Sequence, residues 1–262
     1  SMNRALYVAK TGLEAQNTRL ATISNNLANA NTTGYKQGRA EFEDLIYQNV
    51  RQPGGYTNQQ TTLPSGLQLG VGTKVAAIQK MHTQGSPQNT GNELDSVLQG
   101  KGFFQIQQVD GTIAYTRDGS FQLNQNGDMV TSGGLLVQPQ ITVPPNATGV
   151  TIGTDGTVSA TIPGQAEPQQ LGQLEIATFI NPAGLNAKGD NLFTETIASG
   201  VPVVGVAGVD GVGTIIQSFL EASNVNTVEE LIGMIEAQRT YEMNAKAIKA
   251  ADGMMQYLNN NV

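Results

Sequence analysis

Residues 25–36 read NNLANANTTGYK. Four asparagines fall within seven residues, behind a leucine-bearing helical run and ahead of Thr-Thr-Gly-Tyr-Lys. Asparagine is a mediocre helix former because its amide competes for backbone hydrogen bonds. A single Asn or Gly would be enough to close a helix. The cluster therefore marks more than a helix end, and its meaning depends on what lies on either side.

Upstream, Leu6, Leu13, Leu20 and Leu27 recur every seven residues, with Ala9, Ile23 and Ala30 three positions after three of them. This predicts a helix over 3–30 with an a/d seam interrupted at Gln16. Such a helix is about 42 Å long, and a seam of that length needs a partner. At the other terminus, Leu231, Met234, Tyr241, Ala245, Ile248 and Met255 take similar positions, widened by Val228, Ile232 and Ile235. Thr227-Val-Glu-Glu230 has capping-box spacing and predicts the start of a helix over 227–258. Two heptad helices at opposite termini pair most economically with each other, antiparallel or nearly so.

Between them the pattern changes. From about 71 to 219 short alternating runs are broken by Gly and Pro. Asp110-Gly111, Asp118-Gly119 and Asn126-Gly127 are turn dipeptides at eight-residue intervals among strand-like stretches, which predicts a β-meander. Residues 36–70 fit neither part. Pro53, Gly54, Gly55, Pro64 and Gly66 with a Gln/Thr tract read as an extended arm that does not pack on itself. The predicted class is α+β. A discontinuous helical coiled-coil domain (1–35 and 221–262) is joined through the arm (36–70) to a central all-β domain (71–220).

Composition excludes most chemistry. The 262 residues are 13% charged with net charge -7 and no Lys/Arg patch, so nucleic acid is not an expected partner. The absence of cysteine removes disulfides, thiolate catalysis and zinc–thiolate sites. His82 is the lone histidine, which leaves no triad or His-based metal cage except around it; it reads as structural or solvent-facing. GLQLGVGTK (66–74) lacks the order of a phosphate loop, and the Asp-Gly pairs lack calcium-loop spacing. Glu41, Glu43, Asp44, Glu229 and Glu230 read as solvated or helix-dipole carboxylates. No active site, cofactor site or metal site emerges. No run is long and apolar enough for direct membrane insertion, and the N-terminus lacks the pattern of a cleaved signal peptide.

With catalysis set aside, the opening stretch resembles the signature of the flagellar basal-body rod and hook family of axial proteins. Asn25, Asn26, Leu27, Ala28, Asn29, Thr33, Gly34, Tyr35 and Lys36 meet every position of that signature. ASNVNTVEELIGMIEAQRTYEMNAKAI (222–248) is similar to the family's closing helix, and KGFFQI (101–106) with YTRDGSFQLNQNGDMVTSGG (115–134) to its β-domain. The resemblance implies a structural subunit that polymerises helically with itself and is no enzyme. Its implied neighbours are proximal-rod proteins, the hook protein, the periplasmic and outer-membrane bushing rings, and the flagellar type III exporter. The implied place is the rod that crosses the periplasm, reached without a cleaved signal.

Within the family the arm argues against the hook, and the full β-domain against the shorter proximal-rod members; the distal end of the rod fits best. A secreted β-rich fibre or adhesin is the alternative outside the family, but it would carry one long trimeric coiled coil instead of two terminal helices.

On this reading, Leu6, Leu13, Leu20, Ile23 and Leu27 of the first helix pack between subunits. So do Leu231, Met234, Ile235, Tyr241, Ile248 and Met255 of the last. Asn25, Asn26 and Asn29 satisfy polar groups on adjacent chains, Gly34 gives a left-handed exit after the helix, and Gly34 and Tyr35 also pack between subunits. Arg51, Gln52, Pro53, Gly54, Leu63, Pro64 and Gly66 of the arm dock on a neighbour and stiffen the polymer.

Overall fold

A computed structural model describes residues 2–44, 48–51, 67–69 and 73–261. Helix α1 runs Met2–Ala28 and helix α2 runs Thr227–Asn260, each within two residues of the expected ends. Short strands fill the sequence between them. The chain divides into two compact units. One joins Ser1–Leu27, Gly38–Gln79 and Thr227–Val262; the other joins Ala28–Gln37 and Lys80–Asn226.

In the helical unit, α1 and α2 meet through small and polar residues. A side chain at Gly12 would come within 2.8 Å of Asn244, Arg19 pairs with Glu236 at 3.3 Å, and Gly233 faces Ile23. As the position on α1 rises from 12 to 23, its partner on α2 falls from 244 to 233, so the helices run antiparallel. The leucine heptad is not what this contact uses. Thr11, Ala15, Thr22 and Asn26 are buried while Leu6, Leu13, Leu20 and Leu27 are only half-buried. At 3.6 residues per turn the two sets lie about 160° apart around the helix. Threonine tolerates the buried side because its hydroxyl bonds back along the helix: Thr11 to the Val8 carbonyl and Thr22 to that of Thr18.

Ends of the stretch read as an arm are paired. Strand Gly38–Asp44 pairs with Thr73–Lys80, and Gln48–Arg51 runs antiparallel to Leu67–Leu69. The second pairing lies within the stretch, while the first joins its start to a strand beyond its end. Gln52, Pro53, Gly54, Leu63, Pro64 and Gly66 lie outside the described residues.

The β unit is centred on strand Phe103–Gln107, which pairs with Ile113–Thr116, Leu136–Gln138 and Glu175–Thr178 in one nine-stranded sheet. Adjacent side chains on a strand face opposite ways, so Phe103 and Phe104 enter different cores. Phe104 joins Leu98, Ile106, Phe121, Met129, Ile141, Leu174 and Ile215. Phe103 joins Tyr115, Phe179, Leu185 and Phe193.

Two of the three expected turns are hairpin turns: Asp110-Gly111 lies between Phe103–Gln107 and Ile113–Thr116, and Asn126-Gly127 between Gln122–Leu123 and Met129–Val130. Asp118-Gly119 is not. Gly119 lies so close to strand Ser96–Gln99 that a Cβ would come 1.8 Å from the Ser96 carbonyl oxygen. The meander breaks there because the preceding residue, Arg117, turns inward to a buried carboxylate.

Candidate functional site

That carboxylate is Glu221, wholly buried beside two cations. Lys36, the last residue of the opening stretch, donates to its Oε1 and to the Thr83 carbonyl at 2.8 Å. Arg117 donates Nε to Oε2 at 2.8 Å and spreads its remaining nitrogens over the carbonyls of Gly100, Gly102 and Leu98. The Gly85 N–H completes Oε1 at 2.9 Å. Burial pushes the Lys36 ammonium below its ordinary pKa, against the opposing pull of Glu221.

Around this cluster, backbone groups tie three segments into one clasp. Asn224 donates to the carbonyls of Met81 and Thr83 and accepts from the Gln37 N–H at 2.7 Å. Gly34 donates to the Glu221 carbonyl at 2.8 Å, with φ of +70° and Asp118 backbone so near that a Cβ would lie 2.8 Å from its nitrogen. Both features demand glycine. Tyr35 is buried under the Lys80 ammonium, 4.4 Å from its ring centroid. The expected role of Gly34 as a helix exit is thereby corrected: α1 ends at Ala28, and Gly34 serves the clasp.

His82 enters the same corner edge-on to Phe103 and Phe193, with ring centroids 5.6 and 5.0 Å away. Neither ring nitrogen has a hydrogen-bond partner among the described residues. Burial chiefly, with the Lys36, Arg117 and Lys80 charges, pushes its pKa down to about 4.

The asparagines separate. Asn26 is buried and pairs both ways with the Gly38 backbone, donating at 2.8 Å and accepting at 2.9 Å. Asn29 accepts from the Thr32 hydroxyl at 3.1 Å. These two amides are engaged within the chain, which explains them without a neighbouring subunit. Asn25 faces outward.

Among the hydrophobic positions, Ile23 is buried and Met234, Ile248 and Met255 are half-buried. Leu231, Ile235 and Tyr241 are exposed by 48%, 52% and 38%, continuing an uncovered stripe through Val228 and Ile232. Arg51 closes a strand. Sequence reading did not assign Arg117, Glu221 or Asn224 to the site. The lysine and arginine motifs were visible, but their shared partner lies 185 and 104 residues away. Among the described residues no cluster suited to a metal and no helix long and apolar enough to cross a membrane is present.

Relatives decide what this arrangement belongs to. A protein of Buchnera aphidicola subsp. Schizaphis graminum named flagellar basal-body rod protein FlgG is 50% identical over 97% of this chain and 98% of its own length. The chain belongs to the flagellar basal-body rod family. Proteins of the same name from Borreliella burgdorferi and Bacillus subtilis are 48% and 36% identical, each over 99% of this chain and 98% or more of their own. Family models match in chain order: the flagella basal body rod protein at 6–36, the flagellar hook protein FlgE/F/G D1 domain at 97–160, and the basal body rod FlgEFG C-terminal region at 216–261. As a member, the chain is a structural subunit of the flagellar basal body, where rod proteins polymerise, and is not an enzyme. Lys36 closes the first of these matches, and Arg117 and Glu221 fall within the other two.

Proposed function

We propose that this subunit builds the distal rod, a helical homopolymer that crosses the periplasm and carries motor torque to the hook. One observation carries the reading. The β unit closes its own cores, whereas α2 leaves an apolar stripe exposed at Val228, Leu231, Ile232 and Ile235, and α1 leaves Leu6, Leu13 and Leu20 half-buried. Contiguous exposed apolar surface of this kind is expected where another chain docks, and in a homopolymer that chain is a second copy. Coiled-coil packing of the terminal helices then occurs between subunits, and Asn25, Leu27 and Met255 belong to the same contact layer.

The remaining assignments rest on this reading. Proximal-rod proteins and the hook protein adjoin the two ends, ring proteins surround the shaft, and the chain reaches its place through the flagellar type III exporter. Residues 51–66 dock on a neighbour and stiffen the polymer. Leu20→Asp and Ile235→Asp test the central claim, because a charge buried in a packed layer costs several kcal/mol. Each variant should keep the β unit folded by circular dichroism and yield no rods by electron microscopy. Normal rods in either would refute the placement.

A further inference from the structure

The clasp contains a titratable group, His82, packed between two phenylalanine rings. His82 belongs to the segment 81–86, which holds the clasp shut from one side. Met81 donates to Gln37, the Thr83 carbonyl accepts from both Lys36 and Asn224, Gly85 donates to Glu221, and Ser86 accepts from Ala222. A neutral imidazole suits its place between Phe103 and Phe193. An imidazolium does not, because it carries two N–H donors and neither nitrogen has an acceptor there. The charges that face it are Lys36, Lys80 and Arg117 against the carboxylate of Glu221, which Lys36 and Arg117 already occupy. Beside it lies a pocket of about 400 Å³ lined also by Gln84, Lys101, Phe179 and Ile180, space through which the ring can swing outward.

We propose that His82 is a proton-operated latch: taking up a proton expels the ring from between Phe103 and Phe193, pulls 81–86 off the clasp, and exposes the Lys36–Glu221–Arg117 cluster. The ligand is the proton itself, and the response is local opening of the neck where the chain enters and leaves the β unit. Opening begins as the medium falls below neutrality and is complete only in acid, since the buried ring resists protonation. This inference does not depend on how subunits pack.

The chain's single histidine makes the test direct on the full-length protein. Its imidazole proton resonance should titrate well below 6.5 by NMR, and a midpoint near 6.5 would overturn the proposal. Hydrogen exchange, corrected for the intrinsic pH dependence of the amide chemistry, should show protection of 81–86 and 221–224 falling about tenfold or more from pH 7 to pH 4. His82→Phe should keep that protection at both pH values. Acid loss undiminished in His82→Phe would move the effect to a carboxylate and overturn the assignment to His82, as would unchanged protection in the wild type. Should His82→Phe fail to fold, His82→Gln, which cannot gain charge, serves the same comparison.

Discussion

The two units stabilise themselves differently. The β unit buries Phe104, Ile106, Leu174 and Ile176 almost completely and fixes its neck with a saturated charge cluster. The helical unit meets itself through Gly12, Gly233 and an exposed ion pair, with Arg19 and Glu236 side chains 33% and 63% exposed. Exposed pairs contribute about 0–1 kcal/mol. A domain that finishes its core inside one chain and a pair of helices that does not are therefore built into one polypeptide. The difference teaches where to expect sensitivity in the free subunit and where only in the polymer.

The sharpest break of that contrast is at the cores of the β unit. Phe104→Ala should cost the isolated subunit about 3–5 kcal/mol, and Glu221→Ala a similar amount because it strands two buried cations; urea denaturation monitored by β-sheet circular dichroism measures both. If either left stability unchanged, the β unit would not be the self-sufficient half. Lowering pH should act next. A His whose folded pKa is about 4 against an ordinary 6.5 contributes stability that is fully present above 6.5 and is lost as pH falls through about 4. Thermal melts of wild type and His82→Phe should diverge across that window and run parallel above pH 7. Gly34→Ala follows, costing about 1–3 kcal/mol through its left-handed backbone and the close Asp118 main chain. The smallest effect belongs to the helices: Ile235→Asp should change monomer stability by no more than about 0.5 kcal/mol, and a larger loss would mean the stripe is covered within one chain.

Legibility followed the range of the interactions. Heptad spacing and the Thr227-Val-Glu-Glu230 pattern are local, so both helices and their ends are readable from sequence. Asp110-Gly111 and Asn126-Gly127 behave as turn chemistry dictates. Asp118-Gly119 does not, because Arg117 answers to Glu221, 104 residues on, and no local rule contains that partner. The same holds for Lys36 and for Asn26, whose amide finds the Gly38 backbone after the chain has turned away from the helix. Leucine spacing gave the period of α1 correctly but not which side would be buried within the chain, since the threonine face is polar in composition and dry in place.

The clasp also settles how load is shared. Lys36 stands one residue before Gln37, where the first segment of the β unit ends, Glu221 stands five before Asn226, where its second segment ends, and the two side chains are bonded to each other. A load on these two segment ends therefore meets the Lys36–Glu221 pair and Asn224, and passes through Glu221 to Arg117 and to the strand pair Phe219–Glu221 with Pro87–Asn89. A pulled subunit should therefore lose this clasp, with the short strand that ends at Glu221, before the cores around Phe103 and Phe104 open.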